Sequence, residues 1–182
     1  GLPPWATVTR KRLAHIERVA GLVDGWARAM RIPDEDRNRW VRAAWLHDAM
    51  RDAPIEELAE WAEDPHSPRA ILHGPAAAAR AAAQGEPDEE LLNAVRYHSV
   101  GHPDFGPAGR AVYCADYLDP GRKLHTPEMA VLIERYPVDP GGVLFTVAKR
   151  RVAHLIESGW PILEPTYRFW NRLTLADGSL PS

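Results

Sequence analysis

A chain of 182 residues is long enough to fold as one domain that buries roughly 70% of its extended surface, with no covalent staple. A formal charge of -3 and a pI near 6.3 exclude a general nucleic-acid binder, whose duplex-facing surface carries a clear basic excess. The single cysteine, Cys114, excludes an internal disulfide, and no apolar run approaches the roughly 20 residues of a membrane span.

In chain order, Leu2 to Val8 is too short and too proline-rich for a secretory segment, so a reducing cytoplasm is the expected location. From Thr9 to Met30, the residues Leu13, Ile16, Val19, Ala20, Val23 and Ala27 recur at helical spacing and form one apolar stripe. The neighbouring row is His15, Val19, Leu22 and Trp26, which puts His15 at the edge of the buried face, where it needs a partner. Pro33-Asp34-Glu35-Asp36 opens a second helix with its acids in the favourable first turn. That helix is expected to run to about Met50. Trp40, Val41, Ala43, Ala44, Trp45 and Leu46 make it apolar nearly all round, so His47 and Asp48 fall at the inner end of a core element. A carboxylate there is costly unless it is paired or bound to a metal.

Pro54 to Ala62 reads as a short helix, followed by a proline-rich loop over Asp64 to Pro68. Ala70 to Gln84 is helical by its alanine content, with Gly74-Pro75 expected to break or restart it directly after His73. Pro87 to Ser99 gives another helix, which runs into the turn-rich stretch Gly101 to Gly106. Ala108 to Leu118 reads as a buried helix in which Asp116 follows Val112 by one turn. Pro127 to Tyr136, Gly142 to Ser158 and Pro165 to Leu173 complete an all-α chain. Residues 1–175 are expected to form a single domain and residues 176–182 a loose tail.

Four histidines and two aspartates stand out. His15, His47, Asp48, His73, His98 and Asp116 each lie at or near the end of a predicted helix with an apolar face. They offer nitrogen and oxygen donors and no thiolate, a set that suits Fe, Mn, Zn or Ni held for hydrolysis rather than a structural zinc knot. Taken singly, each histidine is more often structural. Their order, His, then His-Asp, then His-Gly, then His-Ser-x-Gly, then Ala-Asp, points to a shared centre.

The stretches RLAH (Arg12 to His15), LHDAMRD (Leu46 to Asp52), HG (His73-Gly74), HSVG (His98 to Gly101) and ADYLDPGR (Ala115 to Arg122) resemble the motifs of the HD-domain phosphohydrolase superfamily. Within it they are similar to the YqeK family of symmetrical bis(5'-nucleosyl)-tetraphosphatases. Leu163-Glu164-Pro165-Thr166 and Asn171 extend the resemblance to the end of the chain. It implies an all-helical HD-domain bundle with the metal site between central helices, and a hydrolase that cleaves diadenosine tetraphosphate into two ADP. It also implies a di-iron centre, with Mn, Ni or Zn as alternatives, held by His15, His47, Asp48, His73, His98 and Asp116. Two cations about 3.5–4 Å apart can share a bridging hydroxide and clamp phosphoryl oxygens, which makes Asp48 the expected bridge and His73 and His98 the mark of a second ion.

Arg51, where related proteins usually carry a lysine, is a candidate to grip phosphate in bidentate fashion, or else a solvated helix-end cation. Arg122 has a similar claim and Lys123 a weaker one. His102, in a Gly/Pro loop four residues beyond His98, either protonates the departing ADP oxygen, orients a phosphate, or is a plain loop histidine. Tyr97, Phe105 and Tyr117 flank the proposed ligands and are candidates to stack on adenine, with core packing the better reading for Tyr117. His66, His125 and His154 read as surface or loop residues, and Cys114 as a small buried hydrophobe. Ile16, Met50-Arg51 and Asp119 depart from the family pattern without touching a proposed ligand. The expected partner is a small nucleotide, and an exposed cluster among the seven tryptophans would mark a homodimer face. The rival readings are another HD-type hydrolase of nucleotides or a guanosine alarmone, and a nucleotide-binding HD sensor module.

Overall fold

The computed structural model describes residues 1–123 and 125–175, and among these the chain is all-helical. Its order is α1 (Arg10–Ala29), α2 (Asp34–Leu46), α3 (Ile55–Trp61), α4 (Arg69–Ala83), α5 (Glu89–Tyr97), α6 (Pro107–Leu118), α7 (Pro127–Arg135), α8 (Pro140–Glu157) and α9 (Glu164–Leu175). The starts follow from local chemistry. The side chains of Thr9, Asp88, Thr126 and Asp139 accept backbone N–H groups in the first turns of α1, α5, α7 and α8, and Asp34, Glu35 and Asp36 face the positive end of α2.

At the centre is α6. Ala108, Ala111, Val112, Tyr113, Cys114, Ala115 and Leu118 are buried around most of its circumference, and it packs against α1, α2, α5, α7 and α8. Its small residues let the neighbouring helices approach closely. Trp26 of α1 stacks on Tyr136 at the end of α7, with ring centroids 3.9 Å apart, and donates its indole N–H to the Ile133 carbonyl at 2.9 Å. Cys114 is fully buried, as its surroundings in sequence imply.

Two expectations are corrected. The helix expected to reach Met50 ends at Leu46, and the chain then tightens into three-residue turns, with Ala49 N bonded to Leu46 O, Arg51 N to Asp48 O and Ala53 N to Met50 O. The N-terminal segment pins these turns: Thr7 N donates to Ala49 O at 2.8 Å, and Asp52 accepts both the backbone N–H and the hydroxyl of Thr9. The break expected at Gly74-Pro75 does not occur, because α4 runs unbroken through Pro75. A proline in a helix interior costs about 3 kcal/mol, and burial of Leu72, Ala76, Ala77, Ala78 and Ala81 on the same helix offsets it at up to about 1.5–3 kcal/mol for the largest side chain. Gly74 serves the packing rather than a break. A Cβ there would stand 2.8 Å from the Arg96 carbonyl oxygen and 2.9 Å from that of Val95, so only glycine lets α4 close onto the end of α5. The tail expected from residue 176 lies outside the described residues.

Candidate metal centre

His47 and His98 occupy equivalent places, each the first residue past a helix, α2 and α5. There the unpaired carbonyls of the last turn take the Nδ1 proton: His47 donates to Ala44 O at 2.6 Å and His98 to Val95 O at 2.8 Å. Each ring is thereby fixed with the Nε2 lone pair directed inward. His15, one helical turn beyond Arg12 on α1, is fixed in the same way by a carboxylate, its Nδ1 standing 2.7 Å from Asp119 Oδ2.

These rings converge on Asp48. Its Oδ2 lies 3.6 Å from His15 Nε2 and 3.7 Å from His47 Nε2, while its Oδ1 lies 3.0 Å from His73 Nε2 and 3.5 Å from His98 Nε2. The two imidazole pairs are themselves close, His15 to His47 at 3.3 Å and His73 to His98 at 3.0 Å between Nε2 atoms. Asp116 Oδ1 joins the first cluster, 3.2 Å from His15 Nε2. All six residues predicted as ligands are buried and are brought together by α1, the turn after α2, α4, the end of α5, and α6.

This arrangement fits a cation in each cluster. Donors held about 2.1 Å from one ion stand about 3.0 Å apart at right angles and about 3.4 Å apart in a tetrahedron, and the spacings here run from 3.0 to 3.7 Å. His15, His47 and Asp48 form one possible ligand set, and Asp48, His73 and His98 another, with Asp48 common to both. With the Nδ1–H of His47 and His98 committed to carbonyls, their Nε2 atoms face other ring nitrogens and the carboxylate of Asp48, an arrangement that positive charge between them stabilises. The Nδ1 of His73 is buried and has no hydrogen-bond partner among the described residues.

Charge in the centre is strongly structured. Burial pushes the pKa of His47 and of His73 down to about 4, so both rings are neutral at pH 7. Burial opposes charge on His15 too, but hydrogen bonds to Asp116 and Asp119 outweigh it and raise its pKa to about 9. Burial alone would raise Asp48 and Asp116, yet the imidazoles around Asp48, and His15, Arg151 and Arg122 around Asp116, hold both well below the usual carboxylate range. Guanidiniums close the outer side. Arg12 donates to Asp48 Oδ2 at 2.6 Å, Arg122 to Asp116 Oδ1 at 2.6 Å, and Arg151 to Asp116 Oδ2 at 2.9 Å.

Sequence reasoning missed five participants. Arg12 and Arg18 lie three residues either side of His15 on one helix face, a spacing that could have shown them. Arg18 and His15 both bond Asp119, which corrects the expectation that Asp119 touches no proposed ligand: it closes the end of α6 directly behind the His15 ring. Ser99 Oγ stands 3.1 Å from His98 Nε2 and 3.5 Å from His73 Nε2. Arg151 reaches the centre from α8, also bonding the carbonyls of Ser99 and Tyr113, and has no local signal at all.

Of the remaining candidates only Arg122 bonds one of the six, Asp116. Arg51 is half-buried, has no side-chain hydrogen bond or ion pair among the described residues, and lies close enough to His73 for its charge to lower that ring's pKa. Arg122 is about half exposed, and Lys123 is exposed. His102 makes no hydrogen bond to the cluster: its Nδ1 accepts Asp104 N–H at 3.2 Å and its ring stacks on Tyr97 at 4.3 Å. Phe105 is core, whereas Tyr117 is half-buried. His66 and His154 are exposed, and His125 is half-buried. A cleft of about 920 Å³ opens beside the cluster, reached through Ser99, Arg122 and Arg151.

The HD domain family profile matches residues 12–121, a segment that holds all six convergent residues. The chain belongs to the HD domain family. HD domains are metal-dependent, and the two His/Asp clusters are where this one could hold metal. Three relatives carry the name bis(5'-nucleosyl)-tetraphosphatase, symmetrical, among them one from Staphylococcus aureus that is 29% identical over 111 residues, covering 59% of this chain and 56% of the relative. The one from Bacillus subtilis is 27% identical over 139 residues, covering 72% of this chain and 74% of the relative. The one from Halalkalibacterium halodurans is 26% identical over 106 residues, covering 58% of this chain and 56% of the relative, so the chain spans little more than half of that protein. The fold is similar to a crystal structure from Clostridium acetobutylicum described as a predicted HD superfamily hydrolase involved in NAD metabolism. The TM-score is 0.79, with 24% identity over 93% of this chain and 92% of that one. Among the described residues no helix is long and apolar enough to cross a membrane.

Proposed function

We propose that this HD domain hydrolyses dinucleoside tetraphosphates, diadenosine tetraphosphate foremost, by symmetrical cleavage to two nucleoside diphosphates. The observation that carries the reading is the division of Asp48: one carboxylate oxygen faces His15 and His47, the other His73 and His98. A mononuclear site would need no such pair of histidine sets. The names of the relatives support the choice of substrate.

We assign His15, His47, Asp48 and Asp116 to one cation, and Asp48, His73 and His98 to a second. Iron is the expected metal, with Mn, Ni and Zn compatible with the same donors. When bound, the pair would supply an activated water and Lewis-acid charge for attack at phosphorus. The protein's part is to fix and screen. Asp119 and the carbonyls of Ala44 and Val95 orient three of the imidazoles. Arg51, with no partner of its own among the described side chains, is the residue we assign to a phosphate oxygen, and Arg122 lines the cleft where a second would lie. Lys123, exposed next to Arg122, adds charge at longer range.

The deciding experiment is chromatography of products from diadenosine tetraphosphate incubated with metal-loaded protein. ADP as sole product is expected. AMP with ATP, or no turnover of this substrate alongside turnover of a mononucleotide or an alarmone, overturns the reading.

A further inference from the structure

The cleft beside the metal centre has chemically different walls. Ser99, Arg122 and Arg151, which line it, bond directly to the proposed ligands His98 and Asp116. Trp160 lines it as well, with 58% of its surface exposed. An exposed tryptophan is costly to leave in water, and this one is held in place. Gly159, at φ 67°, ends α8 in the left-handed conformation, and Trp160 N then donates to Leu155 O at 2.9 Å, locking the backbone of the aromatic residue against the helix end. His154, one turn earlier, sets its ring edge-on to the indole with centroids 5.6 Å apart. The backbone of Trp160 is thereby fixed, and its indole packs against His154 at the edge of the cleft.

We infer that Trp160 is the platform on which the base of the nucleotide stacks, with the phosphates running from it past Arg122 and Arg151 to the metal centre. This rests on the nucleotide reading above and adds a binding residue to it. The occupant is fixed by complementarity: a cleft lined both by guanidiniums tied to the metal centre and by an exposed indole matches a molecule with a polyanion at one end and an aromatic ring at the other. At about 920 Å³ it falls within the size range of small-ligand sites. Tyr117, which lines the same cleft, lies under the Arg151 guanidinium at 5.5 Å and is thereby engaged at the phosphate end.

The test is calorimetric binding to metal-loaded protein, with ADP and inorganic tripolyphosphate as paired probes on wild type, Trp160→Ala and Trp160→Phe. Removing a stacked aromatic weakens base binding by on the order of tenfold. Trp160→Ala should therefore lose about tenfold for ADP with tripolyphosphate unchanged, and Trp160→Phe should recover most of the loss. Equal ADP affinity in wild type and Trp160→Ala overturns the inference and leaves the nucleotide reading intact. Wild type that does not bind ADP overturns both.

Discussion

Asp119 Oδ2 lies 2.7 Å from His15 Nδ1, and on the far side of the same ring His15 Nε2 stands 3.2 Å from Asp116 and 3.3 Å from His47. A carboxylate behind an imidazole fixes its tautomer and raises its basicity, and removal of such a partner typically costs 10- to 100-fold in metal affinity. Asp119→Asn should weaken retention of the first ion by that order while leaving the fold intact. Competition against a chelator measures it, and wild-type retention would show that Asp119 serves only Arg18.

Because Asp48 faces both histidine pairs and His98 only one, their removal should differ in stoichiometry. Asp48→Ala should abolish turnover and strip both ions, whereas His98→Ala should keep the first. Elemental analysis of purified variants distinguishes the two, and near-wild-type activity in Asp48→Ala would refute the site.

Arg51 differs from Arg12, Arg122 and Arg151 in having no carboxylate partner among the described residues. Arg51→Ala should therefore leave metal content unchanged and lower kcat/KM for the tetraphosphate by about tenfold or more, the loss of one charge-assisted contact of about 1.5–3 kcal/mol. Steady-state kinetics decides, and unchanged constants would return Arg51 to the solvent.

Gly74 is the point at which α4 touches the end of α5. Gly74→Ala forces a methyl group against two carbonyl oxygens and should cost about 1–3 kcal/mol, a fall of roughly 2–12 °C in Tm for a domain of this size. It should also separate His73 from His98, so that thermal denaturation and metal content fall together. A stable variant that holds both ions would refute the close approach.

Helices and ligand types were legible in the sequence because both obey local rules. Apolar periodicity marks α1 and α6, and a buried His-Asp pair announces its need for a counter-charge. Pro75 misled because propensity is local, while the burial that overrides it belongs to the assembled core. The six candidate ligands were legible through their resemblance to HD motifs, with Asp48 the expected bridge and His73 and His98 the mark of a second ion, whereas which oxygen of Asp48 faces which histidine pair was not, since it depends on how the assembled helices turn the carboxylate. Arg12 and Arg18 were recoverable from their spacing around His15. Arg151 was not, because nothing within its own helix shows that Asp116 lies across from it.

That last contact sets a lower bound on the working unit. Residues 12–121 contain every candidate ligand, but Arg151 holds the second oxygen of Asp116 from outside that stretch. A minimal fragment cut to the family match would keep all six donors while freeing one of them to rotate, so α8 belongs to the metal centre as much as to the scaffold.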